Sequence, residues 1–473
     1  MITGEFMKKT KIICTMGPAC SDVETIKKMI KAGMNVARFN MSHGTHQSHH
    51  IIIEAVKKAR TELNASVAIM IDTNGPEIRV GEFDGGSALL EKGQQFVFTT
   101  EKVLGNSEMA SVSLSSFASV VRKDDIIFAN DGLVKFQVQS IHDKSVVCKV
   151  LVGGKILNRK SLNIPGVKLE IPYLSNADKE HLLFGIKEDA DIYALSFVCS
   201  KQDVNTVRKF LKQNGEEKAI LCSKIESARG VQNLEEIVLA SDSVMVARGD
   251  LGVEIEFEKI PKVQKDIINL CNKYGKNSIT ATEMLESMIE NPRPTRAEIS
   301  DVANAVEDRT SAVMLSGETS IGKYPVLTVE TMARIVEERE KSISYGEPCP
   351  TSTQSELEPC VGFCASELAR SLDVSAITVA TFSGLTAKSV SRFRTKCPIV
   401  ACTPNKRSFH QMSLYFGVVP VLGEFCDNIT DLLKANRQKA LELGLVKNGD
   451  RVVQVASFEN EQNLSNMVLV SIV

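Results

Sequence analysis

The sequence predicts an α/β protein in three parts: a (β/α)₈ barrel of the TIM-barrel class, an all-β domain inserted into it, and a C-terminal α/β domain. Three observations carry that reading. Eight short apolar runs recur along the chain, most of them separated by helix-like stretches. More than a hundred residues, rich in Val, Phe and Thr, fall between the third run and the fourth. After about Ser344 a fresh alternation of helix and strand begins.

In order, the eight runs are KIICTMGP (Lys11–Pro18), MNVARFN (Met34–Asn40), VAIMIDT (Val67–Thr73), DIYALSF (Asp191–Phe197), AILCSKIE (Ala219–Glu226), SVMVARGD (Ser243–Asp250), SITATEM (Ser278–Met284) and AVMLSGET (Ala312–Thr319). Strands that are apolar on both sides belong in a parallel sheet covered on both faces. Eight of them is the number that closes a barrel. Between them, DVETIKKMIKAG and SKQDVNTVRKFLKQNG each place a capping residue ahead of apolar positions at helical spacing. The long insert holds short alternating runs such as QQFVFTTEKV and LVKFQVQSIHDKSVVCKVLV, which read as strands of a domain standing over the barrel mouth. SYGEPCPTSTQSELEP reads as a linker, and AITVATF, PIVACTP, VVPVL, RVVQVAS and MVLVSIV as strands of the tail. The expected boundaries are 1–75 and 171–344 for the barrel, 76–170 for the insert and 345–473 for the tail.

Composition narrows the function. The 473 residues are 43% apolar and 24% charged, ordinary for a globular chain long enough to bury sizeable cores. A formal net charge of −2 gives no basic field for nucleic acid. No apolar run approaches the roughly 18 residues of a membrane helix, and MITGEFMKKTKII lacks the apolar core of a signal peptide. Met7 is read as the natural start, with Met1–Phe6 an addition. Twelve scattered cysteines with no CxxC pair read as reduced thiols of a cytoplasmic protein.

Polar residues gather at the C-terminal ends of the runs: Arg38, Asn40, Asp72, Lys224, Glu226, Asp250 and Thr282. That is the face on which barrel enzymes carry their active sites. Lys224 and Glu226 lie two apart, so a strand points both the same way. Glu226 and Asp250 close adjacent runs, and two carboxylates with substrate oxygens and water suit Mg²⁺. Lys224 and Arg38 offer positive charge to an anionic substrate. Ala247–Asp250, ARGD, puts backbone N–H groups at a helix start, where a carboxylate or phosphate docks. Asn40, Ser42, Asp72 and Thr73 form a second set of oxygen donors with one formal charge, which fits a monovalent cation better than Mg²⁺. Taken alone, the Lys224–Glu226 pair reads equally as a structural ion pair of the rim; seven polar residues at one barrel end favour a site. A dication, paired cations and amide pockets describe phosphoryl transfer, and would serve a metal-held enolate equally.

Two motifs are set aside. GETSIGKY (Gly317–Tyr324) nearly spells a phosphate-binding loop, but Tyr324 cannot supply the hydroxyl that such loops place on magnesium, and Pro325 follows where the helix should be under way. HGTHQSHH gathers His43, His46, His49 and His50, with His46 and His50 at the spacing of a helix-borne metal pair; no nearby cysteine or second ligand run completes a zinc site.

Nine fragments in order, TKIICTMGPA, MNVARFNMSHG, IDTNGPEIR, NDGLVKF, NRKSLNIPGV, CSKIES, MVARGDLGVE, TATEMLESMI and PRPTRAEISDVANAV, resemble the pyruvate kinase family, densely through barrel and insert and loosely through the tail. The resemblance implies transfer of phosphate from phosphoenolpyruvate to ADP, giving pyruvate and ATP, with Mg²⁺ or Mn²⁺ and K⁺ as cofactors. It makes Lys224, Arg38 and Thr282 catalytic, with Lys224 on the transferring phosphoryl group and Thr282 relaying the proton. Arg38, Gly249, Asp250 and Thr282 match its substrate contacts, and Glu226 and Asp250 its divalent-metal ligands. Asn40, Ser42, Asp72 and Thr73 match its potassium site, and Asn40, His43, Arg79 and Lys160 its nucleotide contacts. The insert matches its mobile lid, and the family implies a homotetramer. In the tail, TFSGLTAKS keeps Ser383, Gly384 and Thr386 at a strand-to-helix turn, which reads equally as an ordinary turn and as a nest for a phosphorylated effector. Glu459 and Glu461, in the facing loop, favour a monophosphate there over a bisphosphate. Departures are Asn74 where many members carry Lys, Glu283 where many carry Gln, and VEDRTSA in place of a Gly-containing stretch. A metal-dependent aldolase or lyase on the same barrel and a silent effector-binding protein are the other readings; the insert argues against the first and the complete polar set against the second.

Overall fold

The structure, a computed structural model, describes residues 8–130, 132–167, 171–346, 357–424, 426, 428–457 and 465–473. All eight runs are strands: β1 (Lys11–Thr15), β2 (Val36–Asn40), β3 (Ala68–Asp72), β4 (Ile192–Leu195), β5 (Ile220–Ile225), β6 (Ser243–Ala247), β7 (Asn277–Ala281) and β8 (Ala312–Leu315). Each pairs in parallel with the next, and β8 returns to β1 with Lys11 opposite Ala312, closing the barrel. Apart from Asn40, every residue of these strands is buried. That two-sided burial is why the runs read as continuous rather than alternating apolar sequence.

The helices close over the strands as their caps direct. Asp22 accepts the Thr25 N–H at 2.9 Å and starts the helix Val23–Ala32, which ends at Gly33 with φ +121. Ser200 precedes the helix Lys201–Gln213 as expected, but its side chain makes no capping bond. Asp203 instead accepts the Cys199 N–H at 2.9 Å.

Between β3 and β4 the chain forms a seven-stranded sheet, in the order Ile78–Arg79, Ser161–Asn163, Ile126–Ala129, Val134–His142, Ser145–Val152, Gln95–Thr99 and Met109–Ser111. Its core is aromatic: Phe96, Phe98, Phe117 and Phe136 are fully buried, with ring centroids 5.0–5.9 Å apart. Asn163 reaches the barrel by donating to Glu254 Oε1 at 3.3 Å.

The tail is a five-stranded sheet in the order Val418–Leu422, Ile399–Thr403, Ala376–Ala380, Arg451–Ala456 and Met467–Ile472; only the last strand runs antiparallel. It docks under the barrel. Lys11 Nζ donates to Val418 O at 2.7 Å, Gln411 Nε2 to Lys218 O at 2.7 Å and Arg394 to Arg309 O at 2.8 Å. Those barrel residues begin or precede β1, β5 and β8, so the tail covers the N-terminal end and leaves the C-terminal end open. Among the described residues no helix is long and apolar enough to cross a membrane, and no described cysteine is disulfide-bonded.

Candidate active site

Strand register builds the site. Asn40 stands opposite Asp72 on β2 and β3, and Asp72 opposite Ala194 on β4. The last side chains of neighbouring strands therefore meet at one level of the mouth. Asp72 is fully buried. It takes Arg38 Nε and Nη2 at 2.7 Å each and Lys224 Nζ at 3.2 Å. Arg38 Nη1 continues to Thr15 Oγ1 at 2.7 Å. Lys224 Nζ also donates to Ser196 Oγ at 2.6 Å and lies 2.9 Å from Glu226 Oε1. Arg38, Asp72, Lys224 and Glu226 are thus one buried network, not isolated rim charges.

The electrostatics follow from burial and sign. Burial alone would raise Asp72, but Lys224 and Arg38 beside it hold the carboxyl below its usual value. Burial would lower Lys224; Asp72, Glu226 and Asp250 outweigh it and raise the ammonium well above its usual value. Glu226 goes the other way from a simple ion-paired acid. Burial, with Asp250 adding to it and Lys224 pulling back, pushes it up to about 8.

Glu226 Oε2 accepts the Phe197 N–H at 2.7 Å, whereas Oε1 is buried and accepts no hydrogen bond of normal geometry. A carboxylate oxygen with open lone pairs, next to a second carboxylate, is the donor set of a hard dication. Asp250 lies not at a strand end but in the first turn of the helix Arg248–Glu254, where it is exposed. The residues present fit Mg²⁺. Of the monovalent set, Asn40, Ser42, Asp72 and Thr73 gather at the ends of β2 and β3, with Ser42 N donating to Asn40 Oδ1 at 3.1 Å and Ser42 Oγ to Asn74 Oδ1 at 3.1 Å. Thr73 Oγ1 faces Ala194 O at 3.3 Å.

Thr282, just past β7, has φ +67, and Glu283 after it φ +53; Phe197, two residues past β4, has φ +53. Non-glycine residues adopt that region at a cost and concentrate at functional sites. Arg248 fixes the turn by donating to Ala281 O at 3.2 Å and Thr282 O at 2.6 Å, with its other end on Asp301 at 2.7 Å. The Thr282 hydroxyl accepts the Gly249 N–H at 2.8 Å and donates to Ala281 O at 2.6 Å. Of the amides at the ARGD turn, that of Gly249 is therefore already engaged.

Family models match the chain along most of its length: "Pyruvate kinase, barrel domain" over residues 7–329 and "Pyruvate kinase, alpha/beta domain" over residues 361–471. The pyruvate kinase of Clostridium acetobutylicum is 41% identical over 474 residues, covering 99% of this chain and all of that protein. Those of Staphylococcus haemolyticus and Staphylococcus aureus (strain MRSA252) are each 42% identical, covering 99% of this chain and 81% of theirs. The chain belongs to the pyruvate kinase family.

The remaining expected residues fall in three places. Arg79 and Lys160 come together on the insert, where Ser161 stands opposite Arg79 and Val80 N donates to Lys160 O at 2.9 Å. Arg79 pairs with Glu77 at 2.6 Å. His43 lies exposed on the loop after β2. Gly384 takes the left-handed conformation, φ +84, but the turn satisfies much of itself: Gly384 N donates to Thr381 Oγ1 at 2.9 Å, and the Thr386 hydroxyl is buried against Ser465 Oγ at 2.5 Å. Ser383 is exposed beside it. Glu459 and Glu461 lie outside the described residues.

Ser196, Thr15 and Arg248 are contacts that the sequence reading missed. Ser196 and Thr15 carried the available signal, each being a polar residue late in an apolar run. The histidine cluster resolves into structural contacts. His46 Nε2 meets His181 Nδ1 at 2.8 Å and stacks on Phe184, while His50 turns to Glu188 at 2.9 Å. Beside His50, Glu54 and Glu188 complete a three-residue group of metal-ligand type, with Lys57 2.9 Å from Glu54 and 3.6 Å from Glu188.

Proposed function

We propose that this chain transfers the phosphoryl group of phosphoenolpyruvate to ADP, giving pyruvate and ATP, at the mouth formed by β2 to β7. The observation that carries the reading is Lys224, a buried cation held between Asp72 and Glu226 where the strands end. Family membership supports it independently.

Arg38 and Lys224 supply the positive charge that receives the anionic substrate. Gly249 and Asp250, in the helix turn after β6, and Thr282, just past β7, line its far side. Lys224 neutralises charge on the phosphoryl group while its bond to the enol oxygen breaks and a bond to the terminal ADP oxygen forms. The electron pair of the broken bond stays with the enolate. Protonation of the methylene carbon through the Thr282 hydroxyl then gives pyruvate. Glu226 and Asp250 would hold Mg²⁺ or Mn²⁺, and Asn40, Ser42, Asp72 and Thr73 would hold K⁺; such ions would supply positive charge to the anionic reactants.

Asn40, His43, Arg79 and Lys160 are assigned to the nucleotide. Arg79 and Lys160 belong to the insert, which acts as the lid, so nucleotide binding and closure are one event. A phosphorylated effector at Ser383, Gly384 and Thr386, a monophosphate in preference to a bisphosphate, is part of the same reading. So are a homotetramer and a cytoplasmic site of action; these rest on family membership and sequence.

The test is pyruvate formation from phosphoenolpyruvate, ADP, Mg²⁺ and K⁺, followed through lactate dehydrogenase. Strict dependence on ADP, with one ATP formed per pyruvate, is expected. Turnover of an enolate without ADP would move the site to carbon–carbon chemistry.

A further inference from the structure

At the other end of the barrel, where the tail docks, a cavity of about 10 Å³ opens between the two domains. That is room for one particle of about the size of water. Lys276 and Asn277 line it from the barrel, and Lys388, Arg392 and Arg394 from the tail. Four of these five residues are cations.

Each cation donates to a neutral oxygen. Lys276 Nζ donates to Ser241 O at 2.6 Å, Lys388 Nζ to Asp242 O at 3.3 Å and Arg392 Nη2 to Lys273 O at 2.8 Å. Arg394 serves Arg309 O at 2.8 Å, Asn272 Oδ1 at 3.0 Å and Ser311 Oγ at 3.1 Å. Among the described residues, no carboxylate stands within ion-pair distance of Lys276, Lys388 or Arg394. The acid closest in charge, Asp242, already takes Arg208 at 3.1 Å and the Leu221 N–H at 3.0 Å.

Two buried donors here have no acceptor: Arg394 Nε and Asn277 Nδ2. Arg394 is 4% exposed and Asn277 6%. Leaving such donors unpaired in a folded interior is costly, and Lys276 and Lys388, half-buried with Asp242 opposing only in part, add like charge beside Arg394. Burial, with Lys276, Arg208 and Arg392 nearby and Asp242 opposing, brings Lys388 down to about 8. Burial and Arg309, with Glu340 opposing, bring Arg394 down to about 9.

We propose that this cavity binds one small inorganic anion, chloride in ordinary solution, which is shared by barrel and tail and fastens the one to the other. Carbonyl dipoles solvate Lys276, Lys388 and Arg394 partly; a monatomic anion adds charge of the opposite sign and accepts the orphaned N–H groups.

Crystals of the full chain soaked in sodium bromide should show an anomalous bromine peak in the cavity, against Arg394 and Asn277. An ordered water with no anomalous signal overturns the proposal. In thermal unfolding at constant ionic strength, replacing gluconate by chloride should raise Tm saturably by about 2 °C. Lys388→Met, which keeps the aliphatic stem, should lose that response. Should that variant fail to fold, the bromide soak and the saturable chloride response of the wild type still decide. A bromine peak without a saturable response marks an adventitious ion only, and an equal response in both proteins overturns the proposal as well.

Discussion

Around Lys224 at the mouth stand Asp72, Glu226 and Asp250, with Arg38 as the second cation, whereas at the floor Lys276, Lys388, Arg392 and Arg394 share one cavity and the nearby acid is engaged elsewhere. Among the described residues the two ends of one barrel thus err in opposite directions: above, three carboxylates, the exposed Asp250 among them, face two cations, and below, Lys276, Lys388 and Arg394 have no carboxylate within ion-pair distance. A set of unbalanced charge is weak evidence for stability. It is good evidence for a missing partner of the opposite sign. At the mouth the partner we propose is a divalent ion and, with it, an anionic substrate received by Arg38 and Lys224. At the floor it is a small anion with no chemistry to perform.

The largest break in the comparison is Lys224→Met. It should lower kcat by about 10³-fold or more, the scale of removing a charge that acts on a transferring phosphoryl group. Substrate binding should change far less, and proton exchange at the pyruvate methyl should survive better than phosphoryl transfer. Equal loss of both activities would remove the assigned role. Since Asp72 and Glu226 lose their shared cation, the variant should also unfold more easily, by about 3 kcal/mol; denaturant melts run beside the kinetics separate that from the chemical effect.

Next comes Glu226→Gln, which keeps shape and removes charge. Activation by Mg²⁺ should require at least about 100-fold more metal, the loss expected when a ligand carboxylate becomes a neutral amide. Stability of the metal-free chain should hold or rise, since a buried carboxylate with an unfilled oxygen is gone. A fall in stability as large as the fall in activity would make Glu226 a structural residue.

Glu77→Lys sharpens the same point with a smaller effect. Burial raises Glu77, with Arg79 and Lys224 opposing and Asp250 adding to the rise, so the side chain senses the site. An ammonium there can stand in for the monovalent ion. The wild type should need K⁺, and the variant's activation by K⁺ should fall by about tenfold, the equivalent of ~1.4 kcal/mol. Full activity of the wild type in K⁺-free buffer would refute the monovalent site.

The contrast between the ends also explains what the sequence could and could not disclose. Barrel strands are buried on both sides, so each appears as an unbroken apolar run, and a polar residue closing such a run marks the mouth. Asp72, Lys224 and Glu226 were legible for that reason. The Ser196 contact to Lys224 depends on register between strands, which no run displays. The left-handed Thr282, Glu283 and Phe197 are set by tertiary packing rather than by glycine, so they left no trace. Thr386 read as part of an open nest because its partner Ser465 lies 79 positions away. The floor cluster was less legible still: Lys276 and Arg394 come from different domains and meet only when the tail docks.

The smallest expected effect tests that docking by acid. His410, in the tail helix Lys406–Gln411, is neutral at physiological pH because burial, with Arg60 and Lys406 nearby, lowers it to about 3. Its Nδ1 is buried without a partner, so protonation has no acceptor to reward it. The unfolded chain protonates near 6.5 and the folded chain near 3, so His410 supports folding fully above 6.5 and loses that support as pH falls. The loss is at most about 1.4 kcal/mol per pH unit, less for solvent reaching a side chain that is not fully enclosed. Asp191 beside Arg60 works the other way: burial, against Arg60, raises it to about 6, so its protonation between about 6 and 4 favours the fold. Wild-type melting alone would therefore mix two opposed titrations. The difference between wild type and His410→Gln isolates one. That difference should be constant from pH 8 to 7 and should shift in favour of the variant by several degrees between pH 6.5 and 5. A difference independent of pH would mean that the histidine is already solvated and that the tail covers the floor less tightly than its contacts indicate.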